Sequence, residues 1–178
     1  MDNPIPKWQL GGFVFTAILG TLLHFLFDWT GGSALAALFS AVNESIWEHM
    51  KLLYYPMLLF ALWEYRVWGK KAPGFWQTKL AGLLLGLGLI PIVYYTYTGI
   101  GGVNADWFNV TIFFIAAAAA FWTETKLFQK GFSRGSGKAA LGLILLISLV
   151  FTLLTFYPPR IPFFRDPVTG TYGFGEKV

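Results

Sequence analysis

The chain carries only two histidines, and both fall among acids. Asp28 follows His24 by four residues, one helical turn further along the same face. His49 stands inside the run Asn43-Glu44-Ser45-Ile46-Trp47-Glu48-His49-Met50-Lys51. Wound as a helix, this run places Glu44, Glu48, Lys51 and Tyr55 in one narrow stripe, with His49 beside it near Ser45. Imidazole and carboxylate together suit Zn, Mn or Fe, and a chain without cysteine offers no thiolate for softer metals. A divalent metal held by His24, Asp28 and His49 would activate a water against an ester or phosphoester. Glu44 or Glu48 would be the base, Lys51 would stabilise the developing anion, and Ser45 and Tyr55 would contact the substrate. The same groups without a metal suit a proton or ion relay that moves a small solute. The spacing differs from the His-Glu-x-x-His zinc signature.

Structural roles compete for the same residues. Ser45-x-x-Glu48 fits a capping box, in which each side chain satisfies a backbone donor at a helix start. Glu48 and Lys51, three apart, can pair along one helix. His24 can serve as a core histidine bonded to Asp28 or to a backbone carbonyl. The argument for function rests on depth. Leu52 to Trp63 is a run of twelve residues without charge, about 18 Å as a helix. The hydrocarbon core of a bilayer is roughly 30 Å thick. A spanning helix must therefore draw its charged entrance to the membrane edge, where ionisable groups are costly and usually functional.

The elements that position these groups are apolar. With 178 residues, 56% hydrophobic and 12% charged, the chain is far from the roughly 25% charge of a soluble domain. We expect an all-α polytopic membrane bundle: five transmembrane helices plus one short re-entrant or interfacial helix. The spans run from about Trp8 to Phe27, Ser45 to Trp68, Leu80 to Tyr97, Trp107 to Trp122 and Ala139 to Tyr157. The run 33–42 is too short to cross. Pro56 and Pro91 suggest kinks. Gly82 and Gly86 permit close helix approach, and Ala116 to Ala120 argue for tight packing. Residues 1–157 form the membrane domain. Pro158-Pro159 ends the last helix, and 158–178 form a tail whose aromatics suggest that it folds back over the site.

The net charge of +4 does not point to nucleic acid, because the bases sit in short loops between apolar runs. Arg66, Lys70, Lys71 and Lys79 fill one such loop, and Lys126, Lys130, Arg134 and Lys138 another. The positive-inside rule places both loops and Lys7 in the cytoplasm. The N-terminus is then cytoplasmic, the C-terminus extracytoplasmic, and the candidate site faces outward. Glu64 and Glu124 fall at cytoplasmic ends, where solvent, Arg66 and Lys126 are the expected partners. The start Met1-Asp2-Asn3-Pro4 lacks the pattern of a cleaved signal peptide.

The segment His24-Phe25-Leu26-Phe27-Asp28-Trp29, the run Ala41 to Lys51 and the ending Asp166-Pro167-Val168-Thr169-Gly170-Thr171-Tyr172-Gly173 together resemble a family of small multi-span bacterial membrane proteins. That family is mostly Gram-positive and has no assigned function. The resemblance covers the whole chain and implies a bacterial plasma-membrane protein. Membrane lipids are the expected surroundings, and a lipid or other small molecule is the expected substrate. The alternatives are a proton- or ion-coupled transporter and an accessory membrane subunit.

Overall fold

Pro6 near its start and the Gly31-Gly32 turn after Thr30 delimit the first long helix, α1 (Ile5–Trp29). There follow a one-turn α2 (Ala34–Ala37), α3 (Ile46–Val67), α4 (Phe75–Gly101), α5 (Asp106–Gln129) and α6 (Gly137–Phe156), with 3-10 turns at Gly69–Lys71 and Pro162–Phe164. The computed structural model describes residues 4–102 and 104–175. The expected uncleaved start at residues 1–3 and the last three residues of the tail lie outside them. No strand occurs among the described residues, only an isolated bridge between Arg165 and Tyr172.

Helices α1, α4, α5 and α6 are long and apolar enough to cross a membrane. The outer face of α1 shows why: Leu10, Val14, Ile18, Leu22, Phe25 and Trp29 are all exposed, an apolar stripe at helical spacing. Helix α3 differs in kind. Its 22 residues reach about 33 Å, yet Glu48, Lys51 and Glu64 make it the most polar of the long helices. All three are buried, as is every residue from Lys51 to Leu58. Its first half is enclosed by the other helices, while Leu59, Leu62, Trp63 and Val67 of its second half are exposed. Both α3 and α4 continue through their prolines, Pro56 and Pro91.

The expected ten-residue helix over 33–42 shrinks to the single turn of α2. Ser40 closes that turn by donating to the Ala36 carbonyl at 2.7 Å, and the chain then bends toward Ser45. The expected close packing is present. Ala116, Ala117 and Ala120 have no exposed surface. A Cβ at Gly86 would lie 2.8 Å from Leu53 and 3.2 Å from the Ala120 Cβ. On α1, a Cβ at Gly20 would lie 2.6 Å from both the Leu52 carbonyl oxygen and the Phe113 ring. Gly20 thus seats α1 against α3 and α5 at once.

This contact makes a test with opposite signs. Gly20→Ala should lower stability by roughly 1–3 kcal/mol, the usual cost of overpacking. Gly88, with nothing within 4 Å of an added Cβ, should accept alanine neutrally or with a gain of up to ~1 kcal/mol from helix propensity. Thermal unfolding of the two variants in detergent reads the difference.

Candidate functional site

Three side chains from two elements converge at one end of the bundle. His24 comes from α1 near its C-terminal end, His49 from the first turn of α3, and Glu44 from the loop just before it. The Glu44 carboxylate lies between the imidazoles, 3.7 Å from His24 Nε2 and 3.4 Å from His49 Nε2. The rings are 5.5 Å apart. One ligand atom from each residue lies within 4.8 Å of the others, the one group of three or more His and acidic side chains among the described residues that could hold a metal ion. Tetrahedral zinc with bonds near 2.1 Å places neighbouring ligand atoms about 3.4 Å apart; each imidazole here faces a different oxygen of Glu44, and the three ligand atoms would draw closer together around an ion.

Local backbone sets the histidine that matters most. His49 Nδ1 lies 2.9 Å from the Ser45 carbonyl. A carbonyl only accepts, so Nδ1 carries the hydrogen, and Nε2 is the nitrogen that faces Glu44. A backbone carbonyl holding the distal nitrogen is the usual way a metal-binding imidazole is oriented. His24 Nδ1 is buried and has no such partner among the described residues.

The cluster forms one wall of a cavity of about 450 Å³, within the range of small-molecule sites. Tyr94, Asn104 and Asn109 face it from α4, the α4–α5 connection and α5. Pro167 and Val168 of the tail reach its rim. The two asparagines and Tyr97 hold one another: Tyr97 donates to Asn109 Oδ1 at 2.7 Å, and Asn109 Nδ2 to Asn104 Oδ1 at 2.8 Å. In sequence these asparagines stood apart from the histidine segments, and only helix packing joins them.

The remaining expected site residues lie elsewhere. Asp28 is exposed one turn past His24 and outside the cluster. Glu48 and Lys51 have turned away from the cavity into a closed network, 2.6 Å from one another. Lys51 also donates to the Ala37 carbonyl at 2.8 Å and to Thr155 at 2.9 Å. Glu48 accepts from Thr155 at 2.8 Å and from the Val42 amide at 3.2 Å. This network ties α2, α3 and α6 together. Half of the capping box forms: Ser45 Oγ accepts from the Glu48 amide, while the Ser45 amide donates to Asn43 instead. Tyr55 points toward α6, its hydroxyl 3.5 Å from the Ser148 carbonyl. Neither Ser45 nor Tyr55 lines the cavity.

A second charged centre occupies the other end of α3. Lys79 pairs with Glu64 and, at 2.5 Å, with Glu124; Gln9 donates to Glu64 at 2.9 Å. The ammonium also sits 5.6 to 5.7 Å from the rings of Phe75, Phe121 and Phe128. Neither glutamate is solvated or paired as expected. Arg66 is exposed, and Lys126 lies over the Trp122 ring. The reason is that α4 starts at Phe75, so Lys79 falls inside the helix rather than in the loop. The signal was Gly82: a Cβ there would meet Glu124 Cγ at 2.5 Å, so this glycine makes room for the carboxylate.

A family model described as a family of unknown function (DUF6512) matches residues 1–174. No curated protein and no solved structure matches the chain.

The closed Glu48–Lys51 network gives a stability test. Lys51→Met leaves a buried carboxylate without its cation and should cost about 3–5 kcal/mol. Pairing it with Glu48→Gln should recover most of that loss. Chemical denaturation of the single and double variants measures both.

Proposed function

We propose that this chain, which belongs to the DUF6512 family, binds a divalent metal through His24, Glu44 and His49 and hydrolyses a lipid or its headgroup. The observation that carries the reading is the convergence of two imidazoles and one carboxylate, one imidazole fixed by a backbone carbonyl, at the mouth of a cavity. Compared with the ligand set expected from sequence, Glu44 takes the place of Asp28. Zn, Mn and Fe suit two imidazoles and a carboxylate.

Held by these three ligands, a metal would keep a position open for water and lower its pKa, supplying ester or phosphoester hydrolysis in which the water's oxygen replaces the departing oxygen and the proton it gives up ends on that leaving group. Asn104 and Asn109 stand across the cavity as hydrogen-bonding groups for the substrate. Glu48 and Lys51 act at a distance, by holding the start of α3 and thus His49 in place.

In this reading α3 crosses with the four apolar helices, giving five spans. The exposed bases Arg66, Lys70, Lys71, Lys126, Lys130, Arg134 and Lys138 gather at the end opposite the cavity. The positive-inside rule then puts the cavity on the extracytoplasmic side of a bacterial plasma membrane. A second reading, an ion- or proton-coupled transporter, draws on the Lys79–Glu64–Glu124 centre, since buried charges in membrane helices often mark ion paths.

Elemental analysis of protein purified with added zinc should find one metal per chain. His24→Ala, Glu44→Ala and His49→Ala should each lower occupancy, and Asp28→Ala should not. Occupancy should also fall as the pH is lowered, because protons compete for imidazole and carboxylate. A metal-free parent protein in this measurement contradicts the reading.

A further inference from the structure

Each helix that lines the cavity contributes a polar residue with an apolar or small one a turn deeper, alongside Phe25 and Ile46 nearer the metal site and Thr21 further in. Lining residues pair one turn apart: His24 with Gly20 on α1, His49 with Leu52 on α3, Tyr94 with Ile90 on α4, and Asn109 with Ile112 and Phe113 on α5. Neighbouring helices run in opposite directions, yet in each pair the polar member is the one nearer the helix end at the metal site. The histidines, Tyr94 and Asn109 thus gather toward the metal-site end, and the rest of the wall is mostly apolar.

The cavity also reaches the outer surface of the bundle. Thr21 and Phe25 of α1 line it, and so do Val110 and Phe114 of α5. All four are exposed. Phe25 belongs to the exposed apolar stripe of α1, and Val110 and Phe114 share the outer surface of α5 with Trp107 and Trp122. The gap between α1 and α5 thus opens sideways onto an exposed apolar surface.

We infer that the cavity takes a phospholipid directly from the membrane. The phosphate lies against the metal held by His24, Glu44 and His49, and the acyl chain passes between Thr21 and Phe25 on one side and Val110 and Phe114 on the other. This rests on the metal reading above and selects its substrate class: a phosphate-headed lipid with its chain attached, rather than a soluble headgroup. A metal with open positions suits a phosphate oxygen, and a mostly apolar wall suits a chain that would otherwise remain in the bilayer.

The test uses delipidated, zinc-loaded protein in detergent, titrated with dioleoylphosphatidylglycerol and followed by native mass spectrometry. sn-Glycerol 3-phosphate, which carries the phosphate without a chain, is titrated in parallel. One phospholipid should bind per chain. Thr21→Trp and Val110→Trp, both at exposed rim positions, should each weaken it by at least about tenfold. Leu22→Trp, on the neighbouring lipid face, should leave it unchanged. Lipid affinity in both rim variants equal to that of the parent overturns the inference, as does glycerol 3-phosphate binding as tightly as the lipid. Zinc content measured on the same samples separates the two readings. Zinc kept with lipid binding indifferent to the rim contradicts the lateral route alone. Lipid binding that responds to the rim in protein holding no zinc contradicts the metal reading and supports the lipid site.

Discussion

A charge inside a membrane bundle must find its partner within the protein, and that constraint shapes this fold through α3. Glu48 and Lys51 lie at one end of the helix and Glu64 at the other, separated by about 20 Å of helix axis. In hydrocarbon each would cost several kcal/mol unless paired. The fold buries the charged positions of α3, with an apolar helix or turn bringing the partner to each end. Thr155 of α6 and the Ala37 carbonyl of α2 reach Lys51. Lys79 of α4, Glu124 of α5 and Gln9 of α1 complete the far centre. The two networks specify which helices are neighbours, a task that apolar side chains in lipid perform poorly.

The cavity follows from the same arrangement. With the entrance of α3 pinned by Glu48, the adjacent His49 has one direction left, toward α1 and away from α6. Small residues Gly12, Thr16 and Gly20 bring α1 in close beneath that point; all three are buried. One turn beyond Gly20 stands His24. Glu44, on the short loop before α3, is half exposed and spans the gap between the imidazoles. Structural charge and candidate chemistry thus share a segment but face opposite ways: Glu48 and Lys51 inward to the bundle, Glu44 and His49 toward the cavity.

This division explains what sequence could and could not reveal. The helices were legible because long apolar runs leave few alternatives, and the two histidines were legible as neighbours because consecutive long helices bring the end of α1 and the start of α3 to one end of the bundle. The stripe containing Glu44, Glu48 and Lys51 was misleading in a specific way. It assumes that Glu44 lies on the helix, whereas α3 begins only at Ile46, and the two glutamates part company at the cap. The Lys79 centre was invisible for a related reason. Hydropathy starts the third long helix at Leu80, but Phe75 and Trp76 are buried and the helix begins with them. A lysine one turn inside a helix then reads as a loop residue. Asn104 and Asn109 needed the packing of α1 against α5, which no local pattern encodes.

The central claim is that His24 and His49 share one metal ion with Glu44. X-ray absorption at the zinc edge, on protein loaded with one equivalent of zinc, addresses it most directly. The account predicts a low-coordinate nitrogen and oxygen shell near 2.0–2.1 Å, with the outer-shell scattering of two imidazoles. A zinc shell of oxygen alone, without imidazole scattering, would contradict it.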